Sequence, residues 1–278
     1  LPSGLVGTID QVLLAIPSLS RSERLRIVSN LQKQGLRVLQ VPSVDDLTSG
    51  RARIDALQPI EIDDLLGRDP VPADLELIGS GLRGAVVLVT GAGGSIGSEL
   101  CRQILLFSPT QLILLDHSEP ALYSIEQSCR SVLPSGVSLQ VVLGSAADAE
   151  LIKQLFTEHS VHVVFHAAAY KHVPMVEANP LAGLSNNVVS TRVICQLADA
   201  FAVRQVLLVS TDKAVRPTNV MGASKRLAEL ILQAHAHGSS KTLFAMVRFG
   251  NVLNSSGSVV PLFRKQISKG GPVTVTHP

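Results

Sequence analysis

Apolar residues fall along this chain in short unbroken runs, separated by stretches in which they recur every three or four positions. Short runs suit strands buried on both faces, and the wider spacing suits helices with one apolar stripe. The first run, residues 11–16 (QVLLAI), reads as a strand that Pro17 ends. Residues 18–34 read as a helix with Ser20 as N-cap and Glu23 three positions on, the pattern of a capping box. Gly35 stops that helix, and residues 36–42 (LRVLQVP) form a second run. A lone βαβ unit cannot bury both faces of its strands. Residues 1–41 are therefore expected to be the closing part of a larger α/β domain. Residues 42–81 hold Pro42, Pro59, Pro70 and Pro72 among acidic turns, and read as a linker.

From Leu82 onward the pattern becomes regular. Strand-like runs at 85–90, 111–116, 139–144, 161–168, 203–211 and 241–250 alternate with helical patterns at 95–107, 119–133, 149–159, 180–202 and 219–237. Alternation with near-continuous apolar strands predicts an α/β fold for residues 82–278, a doubly wound parallel sheet covered on both faces. The apolar runs are strand-sized, so none is expected to cross a membrane, and the first residues carry no signal-peptide pattern.

Composition narrows the function. Across 278 residues, charged residues make up 17% and the net charge is +2, too small for a nucleic-acid surface. Aromatics are 3% with no Trp, which leaves no stacking platform for single strands. Cys101, Cys129 and Cys195 lie far apart without a CxxC pair, as buried thiols of a reducing compartment do. The eight histidines show no metal-ligand spacing, and neither HExxH nor GxSxG occurs.

One loop carries cofactor chemistry. In VLVTGAGGSIGSEL, Gly91, Gly94 and Gly97 stand between a strand and a helix, spaced GxxGxxG. Glycines let backbone turn sharply and approach a pyrophosphate, whose charge sits on the helix N-terminus. Ser95 and Ile96 open that helix. Asp116 ends the next strand 19 positions after Gly97, where a carboxylate accepts hydrogen bonds from the adenosine ribose and repels a 2′-phosphate. His117 and Ser118 follow it and are expected beside the ribose. No Arg sits in the loop, so NAD is expected rather than NADP. A GxxxxGK[ST] phosphate loop is absent.

Further motifs follow in order: HAAAYKHVP, STDKA, MGASK and RFGNVLNSSGSV. Together with TGAGGSIG they resemble the extended short-chain dehydrogenase/reductases, and within them the nucleotide-sugar 4,6-dehydratases of the CapD-type polysaccharide-biosynthesis family. The resemblance covers residues 82–278, and the N-terminal βαβ unit fits it, which implies that residues 1–41 close a second, nucleotide-binding-like domain. It implies that UDP-N-acetylglucosamine is oxidised at C4, loses water across C5–C6 and regains the hydride at C6, so that NAD is regenerated in each cycle. By resemblance, Asp212 is the acid toward the C6 oxygen and Lys213 the base at C5, and Thr211 bonds the C4 oxygen. Lys225 holds the nicotinamide ribose. Met221 stands where related enzymes carry a tyrosine, and Met cannot take a proton. Asp212, or a water held by Thr211, is left to accept the C4 hydroxyl proton. Residues 167–169 (Ala167, Ala168, Ala169) have little bulk and let backbone lie against the cofactor. Lys171 reads equally as a sugar or phosphate contact and as a surface lysine, and Asn187 as a clamp on the nearby backbone or a turn cap. Asn251, Ser255 and Ser258 are expected at the diphosphate, and Asp148 at the adenine.

Two other readings stay open, a nucleotide-sugar 4-epimerase and a non-catalytic NAD-binding module. The resemblance also implies a parent protein with transmembrane helices ahead of residue 1 and further UDP-holding residues after Pro278. It would be anchored in the bacterial inner membrane, with this part a soluble fragment on the cytoplasmic face that makes no membrane contact and pairs with a second copy beside the active site.

Overall fold

The computed structural model describes residues 11–16, 21–40, 58–59, 74–238, 241–252 and 259–275. The chain divides into two compact units, Leu1–Pro72 and Ala73–Pro278. In the first, strand β1 (Gln11–Leu14) leads through the helix Arg21–Lys33 to β2 (Arg37–Gln40), which pairs with it in parallel. Leu14, Val28 and Val38 bury against one another, so the helix closes one face of the pair. A two-residue strand, β3 (Gln58–Pro59), adds antiparallel to β2. Its proline sits at the end of the three-stranded order, where a missing N–H costs no ladder bond.

The second unit is built on six strands: β4 (Val86–Thr90), β5 (Gln111–Asp116), β6 (Ser138–Leu143), β7 (Val163–His166), β8 (Gln205–Thr211) and β9 (Leu243–Phe249). They lie in the order β6-β5-β4-β7-β8-β9, every neighbouring pair parallel. This is the doubly wound Rossmann order, and its direction reverses between β4 and β7, the place where such sheets bind ligands. Side chains alternate between two cores, as a strand's period of two requires. Leu88, Ile113, Val164 and Leu208 pack under the helices Ala149–His159, Ser190–Ala200 and Val220–His237. Val87, Leu112, Leu114 and Val163 pack on the other face, against Leu82, Cys101, Ile104, Ile125 and Cys129. All three cysteines are buried and free. Burial pushes the Cys195 thiol up to about 12, so it stays a protonated core side chain.

Two stretches differ from the sequence reading. The range read as linker ends in a helix, Leu75–Leu82, inside the second unit: Asp74 caps it by accepting the Leu77 N–H at 3.0 Å, and Leu82 joins the core. The neighbouring prolines and two glycines hide this start in the composition. The single helix expected at 180–202 is three pieces, Pro180–Leu184, a π-helical turn Ser185–Val189 and Ser190–Ala200, preceded by a short helix Val173–Ala178. At the π turn, Ser190 and Thr191 hydroxyls donate to the carbonyls of Asn186 and Asn187, competing with the backbone ladder. Among the described residues no helix is long and apolar enough to cross a membrane.

Leu208 is fully buried at the middle of β8. Leu208→Ala should lower the unfolding free energy by about 2–5 kcal/mol, read from urea denaturation followed by circular dichroism.

Candidate functional site

The first half of the site grows out of β4. After Thr90 the chain turns at Gly91 with φ +67°, and a Cβ there would lie 2.6 Å from the Ala168 nitrogen. Only glycine lets the two backbones meet at the switch point. A Cβ on Gly97 would strike the Gly91 carbonyl, so the loop and the first helical turn are in contact through backbone alone. Gly94 is the N-cap of the helix Ser95–Leu105 and has no side chain to fill the space ahead of its first-turn amides. That bare, positive helix end beside backbone without side chains fits a dinucleotide pyrophosphate.

Asp116, buried at the end of β5, holds this loop. One carboxylate oxygen accepts the Gly93 N–H at 2.9 Å and the other the Ser118 N–H at 2.9 Å. His117 stands beside it, half-exposed, with its ring edge-on to Tyr170 at 5.8 Å. A carboxylate at this strand end keeps lone pairs for a ribose hydroxyl, which fits the expectation of NAD. Asp148 is engaged differently. It is the N-cap of the helix Ala149–His159, accepting the Glu150 and Leu151 N–H groups at 3.1 Å, and it does not line the cleft described below. Both of these bonds use one carboxylate oxygen, Oδ1.

The switch point is tied together by a buried imidazole. His166 Nδ1 meets Thr90 Oγ1 at 2.7 Å, while Nε2 meets Thr191 Oγ1 at 3.2 Å and Ser190 Oγ at 3.3 Å. Complete burial, helped by the nearby Lys225 charge, lowers its pKa to about 3, so it works as a neutral hydrogen-bonding strut. Asn187, 1% exposed, does the same for the next loop. It accepts the Tyr170 N–H at 2.7 Å and donates to the Tyr170 carbonyl at 3.0 Å and to Ser224 at 2.9 Å. Of the two readings left open for Asn187, the backbone clamp is the one observed.

The second half comes from β8 and the helix Val220–His237. Thr211 ends β8 and leads into a 3₁₀ turn, Asp212–Ala214. Thr211 Oγ1 donates to Asp212 Oδ1 at 3.1 Å. Lys213 Nζ donates to the same oxygen at 3.2 Å and to Asn251 Oδ1 at 3.1 Å. Burial alone raises the Asp212 pKa, but the hydrogen bonds from Lys213 and Thr211 outweigh it and the net shift is downward, so the carboxyl is ionised. Asn219 caps the following helix by accepting the Gly222 N–H at 2.8 Å, and Glu177 accepts the Val220 N–H at 2.6 Å. Met221 and Lys225, four residues apart, share one helix face. Lys225 is 5% exposed and donates to the Val209 carbonyl at 2.7 Å. Burial lowers its pKa to about 8, against a partial restoring effect of Glu229.

These parts line one cleft of about 1140 Å³. From the expected set it brings together Gly94, Ser95, Ile96, Gly97, Ala167, Ala169, Lys171, Thr211, Lys213, Met221, Lys225 and Asn251. Gly91, Ala168, Asp116, His117, Ser118, Asn187 and Asp212 do not line it; Gly91, Asp116, Asn187 and Asp212 support residues that do, by the close approaches and hydrogen bonds above. Ser255 and Ser258 lie outside the described residues. Sequence reasoning missed Gly93, which lines the cleft and could have been found as the second glycine of GxG. It also missed Met175, Asn179 and Gly183, which reach the cleft from the short helices after β7. Their periodicity is too brief to register.

Two outcomes follow for cofactor binding. Gly97→Ala should weaken NAD binding by about tenfold or more in isothermal titration calorimetry, since the loop must open to admit the methyl. The ammonium form of Lys225 donates a stronger, charge-assisted hydrogen bond to a ribose oxygen than the neutral amine does, so NAD affinity should be steady below pH 8 and fall as pH rises past about 8. Lys225→Gln should bind more weakly at pH 7 and lose that step.

Comparison with known proteins agrees with this geometry. Residues 87–278 match the model of a family described as polysaccharide biosynthesis protein. The capsular polysaccharide biosynthesis protein CapD of Staphylococcus aureus is 44% identical over 270 residues, which are 97% of this chain and 45% of that protein. The chain thus spans about half the length of this relative. Among solved structures, Pen from Bacillus thuringiensis superposes with a TM-score of 0.66 at 31% identity, over 71% of this chain and 61% of that one. DesIV from Streptomyces venezuelae, a dTDP-glucose 4,6-dehydratase with NAD bound, gives 0.56 at 25% identity, over 67% and 63%. The glycine loop, the switch-point cleft and these matches agree, and the chain belongs to the polysaccharide biosynthesis protein family.

Proposed function

We propose that this chain carries the cofactor site and catalytic groups of a nucleotide-sugar 4,6-dehydratase acting on UDP-N-acetylglucosamine, in the synthesis of a bacterial surface polysaccharide. The observation that carries the reading is the cluster Thr211–Asp212–Lys213–Asn251, at the strand ends beside the glycine loop. Two titratable groups there suit a reaction that must remove one proton and deliver another. The likeness to CapD and to DesIV supports the pathway and the reaction class respectively.

Gly91, Gly94 and Gly97 with Asp116 hold NAD across the switch point, and Lys225 holds its nicotinamide ribose. Bound NAD supplies a hydride acceptor for C4 and, later, the hydride donor for C6. Met221 offers no proton site. The hydrogen bond from Thr211 to Asp212 supplies the substitute: the C4 hydroxyl proton passes through Thr211 Oγ1 to the ionised Asp212. Lys213, after releasing one proton to water, takes the C5 proton, which the C4 ketone has made acidic. Asp212 then gives its proton to the departing C6 hydroxyl, and Lys213 returns a proton to C5. The C4 hydroxyl proton and the C6 hydroxyl leave together as water, so the protons balance without a tyrosine.

A 4-epimerase shares the C4 oxidation but has no use for a paired acid and base at C5 and C6. Asp212→Asn and Lys213→Ala should each lower kcat for UDP-N-acetylglucosamine dehydration by about 10²–10⁴, with NAD affinity unchanged. The 4-keto product, separated by ion-exchange chromatography, is the readout. Full turnover in either variant, or a C4 epimer as the product, would overturn the reading.

A further inference from the structure

Glu229 takes no part in the chemistry above, yet its side chain is 0% exposed at the carboxyl end of the sheet. Four hydrogen bonds converge on it. Oε1 accepts from Ser210 Oγ at 2.7 Å and from Arg248 Nε at 2.8 Å. Oε2 accepts from Arg248 Nη2 at 2.7 Å and from Arg226 Nη1 at 2.9 Å. The Arg248 contacts are a two-pronged fork, the strongest and most directional pairing available to a carboxylate.

The donors come from the segments that build the second half of the cleft. Ser210 immediately precedes Thr211 on β8, and Arg248 lies three residues before Asn251. Ser210 and Arg248 are register partners across β8 and β9. Glu229 itself stands one helical turn after Lys225. β9 ends the sheet order and has β8 as its single strand neighbour among the described residues. Half-exposed Leu243 and Val247 show how little else covers it. Its carboxyl end is held by the Arg248 fork, and that end delivers Asn251 to the Lys213 ammonium.

We propose that Glu229 is a positioning residue, whose carboxylate locks the ends of β8 and β9 to the Lys225 helix so that Asn251 meets Lys213 in the cleft. Burial raises the Glu229 pKa, but hydrogen bonds from Arg248, Ser210 and Arg226 outweigh it and hold the pKa at about 2. The lock therefore keeps its charge at working pH. For stability alone, well-packed apolar residues serve as well as a buried ion pair. A buried carboxylate with a fork toward the loop that carries Asn251 fixes direction, which apolar packing does less sharply.

The catalytic half of the test rests on the dehydratase reading; the structural half does not. In Glu229→Gln, the carboxamide leaves one acceptor and turns an N–H toward the arginines. Amide hydrogen exchange in residues 248–252 should quicken by about tenfold or more, while β4 and β5 keep their protection. The kcat for dehydration should fall by about tenfold or more with a smaller change in KM, and adding Asn251→Ala should cost little beyond the worse single variant. Unchanged exchange at 248–252, a uniform loss of protection across the sheet, or independent multiplying effects of Glu229→Gln and Asn251→Ala would each overturn the proposal. If Glu229→Gln does not fold, Arg248→Lys, which keeps the charge and breaks the fork, is read by the same measures. If the unaltered chain shows no dehydration, that failure belongs to the functional reading, and the exchange pattern alone decides the lock.

Discussion

Two backbones meet at the carboxyl ends of β4 and β7 in a space that admits no side chain, and the rest of the site is arranged around that contact. A Cβ on Gly91 would lie within 2.7 Å of the Ala168 Cα. Because the contact is so close, the glycine loop, the helix it opens and the Ala167–Ala169 segment share one rim of the cleft. The contact is maintained from behind by Asp116 on the loop and by His166 between the strands. Neither group can be exchanged for an apolar one without leaving buried hydrogen-bonding partners unmatched, which costs about 1–3 kcal/mol per group.

The electrostatics divide the site's charges by role. His166 is neutral because it is fully buried, and Asp116 spends its carboxylate on loop amides. Lys225, buried and lowered to about 8, sits at the edge of titration, where a cofactor's charge can influence it. Asp212 and Lys213 are the exposed pair, with side-chain accessibilities of 55% and 40%, and are free to change partners when a sugar enters. The proposed chemistry uses the groups that can rearrange and leaves the buried ones to hold geometry.

Much of this was legible in the sequence, for identifiable reasons. Parallel strands buried on both faces must be continuous apolar runs, as β4, β5 and β7 are, and the less buried β6, β8 and β9 still carry enough apolar residues to be read. The glycine loop and Asp116 could be placed because the strand–loop–helix context is local. What stayed hidden depends on distance or on competing signals. The Leu75–Leu82 helix follows a proline-rich stretch and contains two glycines, both of which argue against it. The π turn arises from Ser190 and Thr191 bonding backward, which a periodic pattern does not register. The N-cap role of Asp148, ahead of Ala149–Glu150, is local enough to be read from the sequence. Glu229 gives no local signal, since its main partner Arg248 lies 19 positions away and arrives only when β9 pairs with β8.

The central claim is a closed hydride cycle at one cofactor between C4 and C6 of one sugar. UDP-N-acetylglucosamine carrying deuterium at C4, incubated with this protein and NAD and followed by proton and deuterium NMR, tests it most directly. Deuterium in the C6 methyl group of a 4-keto product, without net reduced NAD, is the expected result. Deuterium retained at C4 of an epimerised sugar, or lost into reduced NAD, would contradict it.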